Sequence, residues 1–209
     1  MSADAGYSEL RKKTLALRRA QSFAERERKS SLIFERWRKA LPADTSFGGR
    51  LISLYRSMPE EVNLTLFANF LLGEGADVFF PRLASRESAE FELLKVTAET
   101  EWKKGVFGFE EPVSEDVLTS PENLDLIFVP GVVFGTKGER IGMGKGHYDR
   151  FLTRNQHALR VSLAFDFQCG ENIPQSSWDQ PMDWVLSEIR DCRGENWSRR
   201  IRMLSGSAD

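Results

Sequence analysis

The sequence predicts an α/β fold: a layered, mostly parallel sheet flanked by helices, with an N-terminal basic helical pair packed on it. Three observations predict it. Short apolar runs alternate with helically periodic segments, in the order strand, helix, strand and again strand, helix, strand. The run "DLIFVPGVVF" at 125–134 is continuously apolar and halted by Pro-Gly, the signature of a strand covered on both faces. The segment before Pro42 carries helical periodicity and no strand signal.

The elements follow in order. "SELRKKTLALRRAQSFAERERKSSLIFERWRKALP" reads as two helices, because Ser22 with Glu25 three residues on fits a capping box that restarts the chain. Ile33, Trp37 and Leu41 recur every four residues and give the second helix one apolar face, and Pro42 stops it. From Arg11 to Lys39 there are eleven Lys/Arg against three Glu, most of them on the opposite face. Such a face is ordinarily solvated, and its first residues are also candidates for a neighbouring anion site. "LISLY" at 51–55 is a strand signal, bounded by glycine and polar residues. "EEVNLTLFANFLLGEG" places Leu64, Phe67, Ala68 and Leu71 on one helical stripe ended by glycines. "DVFFP" at 77–81, "FELLKV" at 91–96 and the run at 125–134 are the next strands. A glycine loop and a helix opening at Lys145 come next, then the strands "LRVSLAF" and "DWVLSE". The tail from Ser187 reads as polar and frayed.

Composition sets the bounds. A chain of 209 residues, 41% apolar and 29% charged, fits one globular domain over 1–209, with the helical pair at 1–41 and a polar tail at 190–209. The net charge of -2 provides no whole-protein field for nucleic acid. No apolar stretch is long enough to cross a bilayer, and "MSADAGYSEL" lacks the pattern of a signal peptide. Cys169 and Cys192 are isolated, without metal spacing or a disulfide framework. The expectation is a cytoplasmic monomer without membrane or nucleic-acid partners. His147 and His157 have no partner at metal-ligand spacing, which argues against zinc.

The stretch "ERIGMGKGHYDRF" at 139–151 carries the chemistry. It is not a P-loop, since Lys145 is followed by Gly146 and not by a hydroxyl residue; nor is Gly142-x-Gly144-x-Gly146 a dinucleotide fingerprint. The physics of both still applies. Bare backbone lets successive N–H groups converge, and a helix N-terminus adds its own donors. Lys145 adds a point charge and Arg140 a bidentate fork for the same polyphosphate. Asp149, in the first helical turn, fits a Mg-nucleotide, because magnesium joins phosphate oxygens to one or two carboxylates. It also fits a plain complement to the helix dipole.

"FVPGVVFGTKGERIGMGKGHYDRFL" resembles the central motif of the 5-formyltetrahydrofolate cyclo-ligase family, P-G-x-x-F-D-x-x-G-x-R-x-G-x-G-x-G-x-Y-D. "YRSMPEEVNLTLFANFLLGEGADVFFPRL", "GVFGFEEP" and "WDQPMDWVLSE" are similar to its flanking elements, in the right order. The resemblance implies a cyclo-ligase-like domain that closes a ring at the expense of ATP. The formyl oxygen of 5-formyltetrahydrofolate attacks the γ-phosphate of MgATP and forms an N5-iminium phosphate. N10 then attacks that carbon, giving 5,10-methenyltetrahydrofolate, ADP and phosphate. No covalent enzyme intermediate is needed, in keeping with the lack of a Ser/His/Asp or Cys/His constellation.

Residue by residue, the resemblance assigns Arg11, Arg140, Gly142, Met143, Gly144, Lys145, Gly146, His147 and Tyr148 to ATP. Lys145, Arg140 and Tyr148 are the implied catalytic residues. Tyr55, Met58, Glu61, Trp102 and Tyr148 would line the folate pocket, with Glu61 holding the pterin through its amide and amine donors. Asp149 is one implied ligand of Mg2+ and Asp179 the second, with Asp183 the alternative to Asp179.

The chain departs from the family pattern at several positions. Tyr7 stands for a basic residue, Gly135 for an aspartate, and Met143 and His147 for residues that are usually aromatic or basic. Asn63 and Leu64 replace an acid and a threonine. Two other readings follow. One is a paralogue that keeps the nucleotide loop and acts on another substrate. The other is a nucleic-acid-binding module using the basic helices, which predicts salt-dependent binding.

Overall fold

In the computed structural model, which describes residues 3–83, 91–105, 108–171, 173–176 and 178–205, the chain begins with two helices, α1 (Ala3–Ala20) and α2 (Phe23–Ala40). Then come β1 (Leu51–Ser53), α3 (Thr65–Gly73), β2 (Asp77–Leu83), β3 (Phe91–Val96), β4 (Trp102–Lys104), β5 (Glu110–Pro112) and β6 (Leu126–Phe128). The second half adds β7 (Val133–Gly135), β8 (Arg140–Ile141), α4 (His147–Arg154), β9 (Leu159–Leu163), β10 (Cys169–Gly170), β11 (Trp184–Leu186), β12 (Asp191–Arg193) and α5 (Trp197–Ile201).

The main sheet has 7 strands in the order β12-β11-β9-β6-β1-β2-β3. The neighbours from β11 through β2 pair in parallel, and only the edge pairs β2–β3 and β11–β12 are antiparallel. Alternate side chains go to opposite faces. Leu126 and Phe128 join one core cluster with Ile52, Val161 and Trp184; Ile127 joins the other with Phe79, Val185 and Leu152. Both faces are covered, which is why these strands read as unbroken apolar runs. The first face is packed by α2, α3 and α5 through Ile33, Trp37, Phe67, Leu71 and Ile201. Trp37 lies 5.3 Å from Phe67 and 5.9 Å from Phe128, ring centre to ring centre. Each such buried side chain contributes about 1.5–3 kcal/mol.

Four expectations are corrected. The run at 125–134 is two strands in different sheets, because a side chain on Gly131 would strike Phe134 at 2.6 Å and the backbone turns there. The second strand, β7, pairs with β8 and β10 in a small sheet of its own. The tail is not frayed through residue 205: β12 extends the sheet, Arg200, Ile201 and Leu204 are buried, and Thr45 bridges Ser205. The capping box is half formed. Ser22 Oγ accepts from Glu25 N at 3.2 Å, but the Glu25 carboxylate pairs forward with Lys29 at 3.1 Å. The helix expected from Lys145 opens at His147, and Val106 and Phe107 of the "GVFGFEEP" element lie outside the described residues.

The path of the chain positions the site. From β1 it proceeds to β2 on one side, then returns to place β6 on the other, so its direction across the sheet reverses between β1 and β6. A crevice opens outside the carboxyl ends of parallel strands at such a point. Over it lies α1, whose Tyr7, Leu10 and Leu15 pack on the small sheet through Val132, Val133 and Ile141.

Candidate functional site

Tyr55 after β1, Pro81 in β2 and Pro130 after β6 border a cleft of about 950 Å3 at this reversal. Its other wall is the glycine loop between β8 and α4. The loop needs its glycines for separate reasons. Gly144 and Gly146 have φ of +92° and +65°, a region that side chains disfavour. Gly142 is ordinary in φ, but a Cβ there would lie 2.8 Å from Arg140 Nη1. Gly146 is the N-cap of α4, so the first N–H groups of the helix open beside the loop.

Positive charge converges on the same wall. Arg140 is buried, with Nη1 donating to the Pro130 carbonyl at 3.3 Å and Nη2 to Asp149 Oδ1 at 2.6 Å. Arg11 crosses from α1 and donates through Nε to the Gly142 carbonyl at 2.9 Å, which leaves the rest of its guanidinium beside Gly144. Lys145 is exposed at the cleft. His147 lies in the first turn of α4; partial burial, then Arg150 and Lys145, lower its pKa below the ordinary 6.5. The imidazole is therefore neutral at pH 7.

Asp149 and Asp179 both line the cleft. The Gln180 N–H approaches Asp149 Oδ1 at 3.4 Å. Asp179 Oδ2 accepts from Ser176 N at 2.7 Å. No group of three or more His, Cys, Asp or Glu that could cage a metal occurs among the described residues. Two carboxylates facing a phosphate-sized loop match the protein share of a magnesium ion that takes its other ligands from phosphate and water. Asp183, the alternative acid, is elsewhere. It is 3% exposed and accepts from Arg160 N at 2.8 Å and Arg200 Nη1 at 2.6 Å.

At the other end of the cleft the residues are those of a polar-lined apolar pocket. The Glu61 side chain is 9% exposed, with Oε2 accepting from Met58 N at 3.0 Å and Oε1 3.2 Å from Arg18 Nη2. Burial raises its pKa, and Arg18 opposes the rise. Burial also raises the Tyr55 phenol well above 10.0 and that of Tyr148, with Glu61 adding to both, so both phenols stay neutral donors. Met58 lines this end as well. Trp102 does not reach the cleft. It packs edge-on against Phe80 at 5.0 Å, and Arg56, which does line the cleft, lies over its ring at 4.5 Å.

Several cleft residues gave no signal in the sequence. Arg56 and Glu110 form an ion pair across the cleft mouth, and Trp178, 71% exposed, stands on its rim. Tyr7 lines the cleft and its hydroxyl is 3.4 Å from Ser176 Oγ. Asn63 and Leu64 lie off the cleft: Asn63 joins α2 to the start of α3 through Glu27, Ser30 and Thr65, and Leu64 is in the core. Those two departures serve helix packing. Cys169 and Cys192 are both free, and burial raises both thiols, that of Cys169 to about 12, so neither is a ready thiolate.

Known proteins resemble this chain in sequence and fold. The 5-formyltetrahydrofolate cyclo-ligase of Haemophilus influenzae is 34% identical over 138 residues, 65% of this chain and 74% of its own. That of Mus musculus is 32% identical over 181 residues, 81% of this chain and 87% of its own. The solved structure of a 5,10-methenyltetrahydrofolate synthetase from Aquifex aeolicus matches with a TM-score of 0.75 at 35% identity, over 90% of this chain and 93% of that one. The family profile for 5-formyltetrahydrofolate cyclo-ligase spans residues 3–188, from the helix that carries Arg11 to the end of the segment that carries Asp179. On sequence and fold together, the chain belongs to the 5-formyltetrahydrofolate cyclo-ligase family.

Proposed function

We propose that the protein converts 5-formyltetrahydrofolate to 5,10-methenyltetrahydrofolate with ATP and Mg2+, by way of an N5-iminium phosphate. The observation that carries this is the sharing of one cleft by a phosphate-type loop and the pocket around the Glu61 carboxylate. A phosphate held at Gly142–Gly146 could then meet a formyl oxygen held near Tyr55 and Glu61.

The chain's own groups each have a task. Arg140, Lys145 and Arg11 hold the triphosphate together with the loop N–H groups, and stabilise charge on the γ-phosphoryl oxygens as it transfers. His147 and Met143 border the same phosphates. The formyl oxygen attacks phosphorus and ADP leaves, which turns a poor leaving group into a good one. Tyr148, at the start of α4, lies between the loop and the folate pocket and donates its phenol to the formyl region. Glu61 accepts from the pterin, and Tyr55 and Met58 wall the ring. N10 attacks the activated carbon, loses its proton, and phosphate departs with the former formyl oxygen. Asp149 and Asp179 would hold a magnesium ion, which would neutralise phosphate charge when bound.

An absorbance assay for the methenyl product from 5-formyltetrahydrofolate, with ATP or Mg2+ withheld in turn, tests the reading. Product only when both are present supports it. ATP binding without product from this folate would leave the loop standing and transfer the protein to another substrate.

A further inference from the structure

Arg18 follows Arg11 by seven positions, about two helical turns, so the two point from one face of α1. Arg11 reaches the glycine loop, and Arg18 reaches Glu61 at the far end of the cleft. Nothing in the reaction as described uses Arg18. It is 1% exposed. The 3.2 Å approach to Glu61 Oε1 is an ion pair without hydrogen-bond alignment, and neither Nε nor Nη2 finds an aligned partner among the described residues. Replacing a buried ion pair of this kind by apolar side chains is often neutral or stabilising. Its presence beside a cleft carboxylate therefore calls for a reason other than stability.

We propose that Arg18 is a positioning residue for the folate substrate, acting through Glu61: it keeps Glu61 a carboxylate and fixes Oε1, so that both oxygens retain a lone pair for paired N–H donors of the pterin. The inference rests on Glu61 being the pterin-binding acid. A carboxylate offers about four acceptor sites. Met58 N takes one on Oε2 and the Arg18 charge stands against Oε1, so each oxygen keeps at least one. A protonated Glu61 would lose an acceptor and present an O–H to a donor.

The groups facing Glu61 come from every element around it. Arg18 approaches from α1, Tyr55 from beyond β1, Tyr148 from α4, and Glu60 and Met58 from its own loop. Burial is the largest influence and favours the neutral acid; Glu60 acts in the same direction, while Arg18 and the Met58 N–H favour the carboxylate. The two phenols are neutral and Arg140 acts on Tyr148. Removing Arg18 thus leaves burial opposed by one backbone N–H, and Glu61 takes up its proton at a higher pH.

The test is the Kd of 5-formyltetrahydrofolate by calorimetry from pH 6 to 9, with the native protein, Arg18→Met, Arg18→Lys and Glu61→Gln, and the Kd of MgATP alongside. Arg18→Met is expected to bind the folate about tenfold or more weakly at pH 7 and to regain affinity as pH rises, with MgATP unchanged. Arg18→Lys, which keeps the charge, should stay within about threefold of native. A merely structural role would weaken Arg18→Met equally at every pH, and that result, or native affinity in Arg18→Met, overturns the proposal. Should Arg18→Met not fold, Arg18→Lys decides: near-native affinity supports the proposal, and a tenfold loss across the whole pH range overturns it. Native-like folate affinity in Glu61→Gln would remove the assignment of Glu61 and this proposal with it. No folate binding by the native protein would instead remove the proposed reaction.

Discussion

Arg140 Nη2 donates to Asp149 Oδ1 at 2.6 Å across the glycine loop, joining the buried cation of the small sheet to the acid in the first turn of α4. The contact sets both side chains before any ligand enters: it holds the arginine beside the loop and the carboxylate at the cleft. Asp149→Asn should lower kcat/KM on the order of 100-fold or more in the methenyl absorbance assay, with partial recovery at high Mg2+. Native activity in that variant would exclude Asp149 from the nucleotide site.

The two acids of the "WDQPMD" segment separate by assay. Asp183→Asn breaks a buried pair with Arg200, a loss of about 3–5 kcal/mol that lowers Tm by roughly 6–20 °C in calorimetry. Asp179→Asn should leave Tm within about 2 °C of native and lower the Mg-dependent rate. The opposite pattern would make Asp183 the metal-facing acid.

Arg11→Ala removes a bond from a charged donor to the Gly142 carbonyl together with a cation beside Gly144. Its KM for ATP should rise about tenfold, and its KM for the folate should not change. Initial-rate kinetics with each substrate varied in turn decide this. A rise in the folate KM alone would place Arg11 at the wrong end of the cleft.

Gly144→Ala forces a side chain onto a backbone with φ of +92°. The strain costs about 1–2 kcal/mol, read as a Tm lower by roughly 2–8 °C and a higher KM for ATP. An unchanged melt and KM would mean the loop takes another conformation.

His147 has a pKa lowered from 6.5 by burial, then by Arg150 and Lys145. Between the folded and unfolded pKa values the unfolded chain binds more protons. The contribution is therefore complete above pH 6.5 and declines as pH falls below it. Tm of the native protein minus that of His147→Phe should be constant from about pH 7 to 9 and decrease below 6.5. A difference that moves between pH 7 and 9 would show a raised pKa instead.

The main elements were legible because each strand is short, apolar and bounded, and because Trp37 and Phe67 sit at helical spacing on faces that have one core to enter. The boundary at Pro130–Gly131 was legible as a stop, not as a change of sheet. That change depends on Phe134 and Arg140 filling the space where a side chain on Gly131 would go. The polar look of the C-terminal segment hid a buried role: Arg200 and Ile201 are adjacent, and only contact with Asp183 and the sheet draws both inside.

The sequence by itself determined the layered fold, the phosphate-type loop and the family, because these depend on local periodicity and on residues within a few positions of each other. The tertiary structure alone decided which distant residues share the cleft. It put Asp179 on the cleft and Asp183 in a buried pair with Arg200, packed Trp102 against Phe80, took Asn63 into helix packing, and brought Arg11 and Arg18 of α1 to opposite ends of one site. The physical reason is that burial and ion pairing depend on what lies opposite a side chain in space. Spacing along the chain fixes only the face on which that side chain stands.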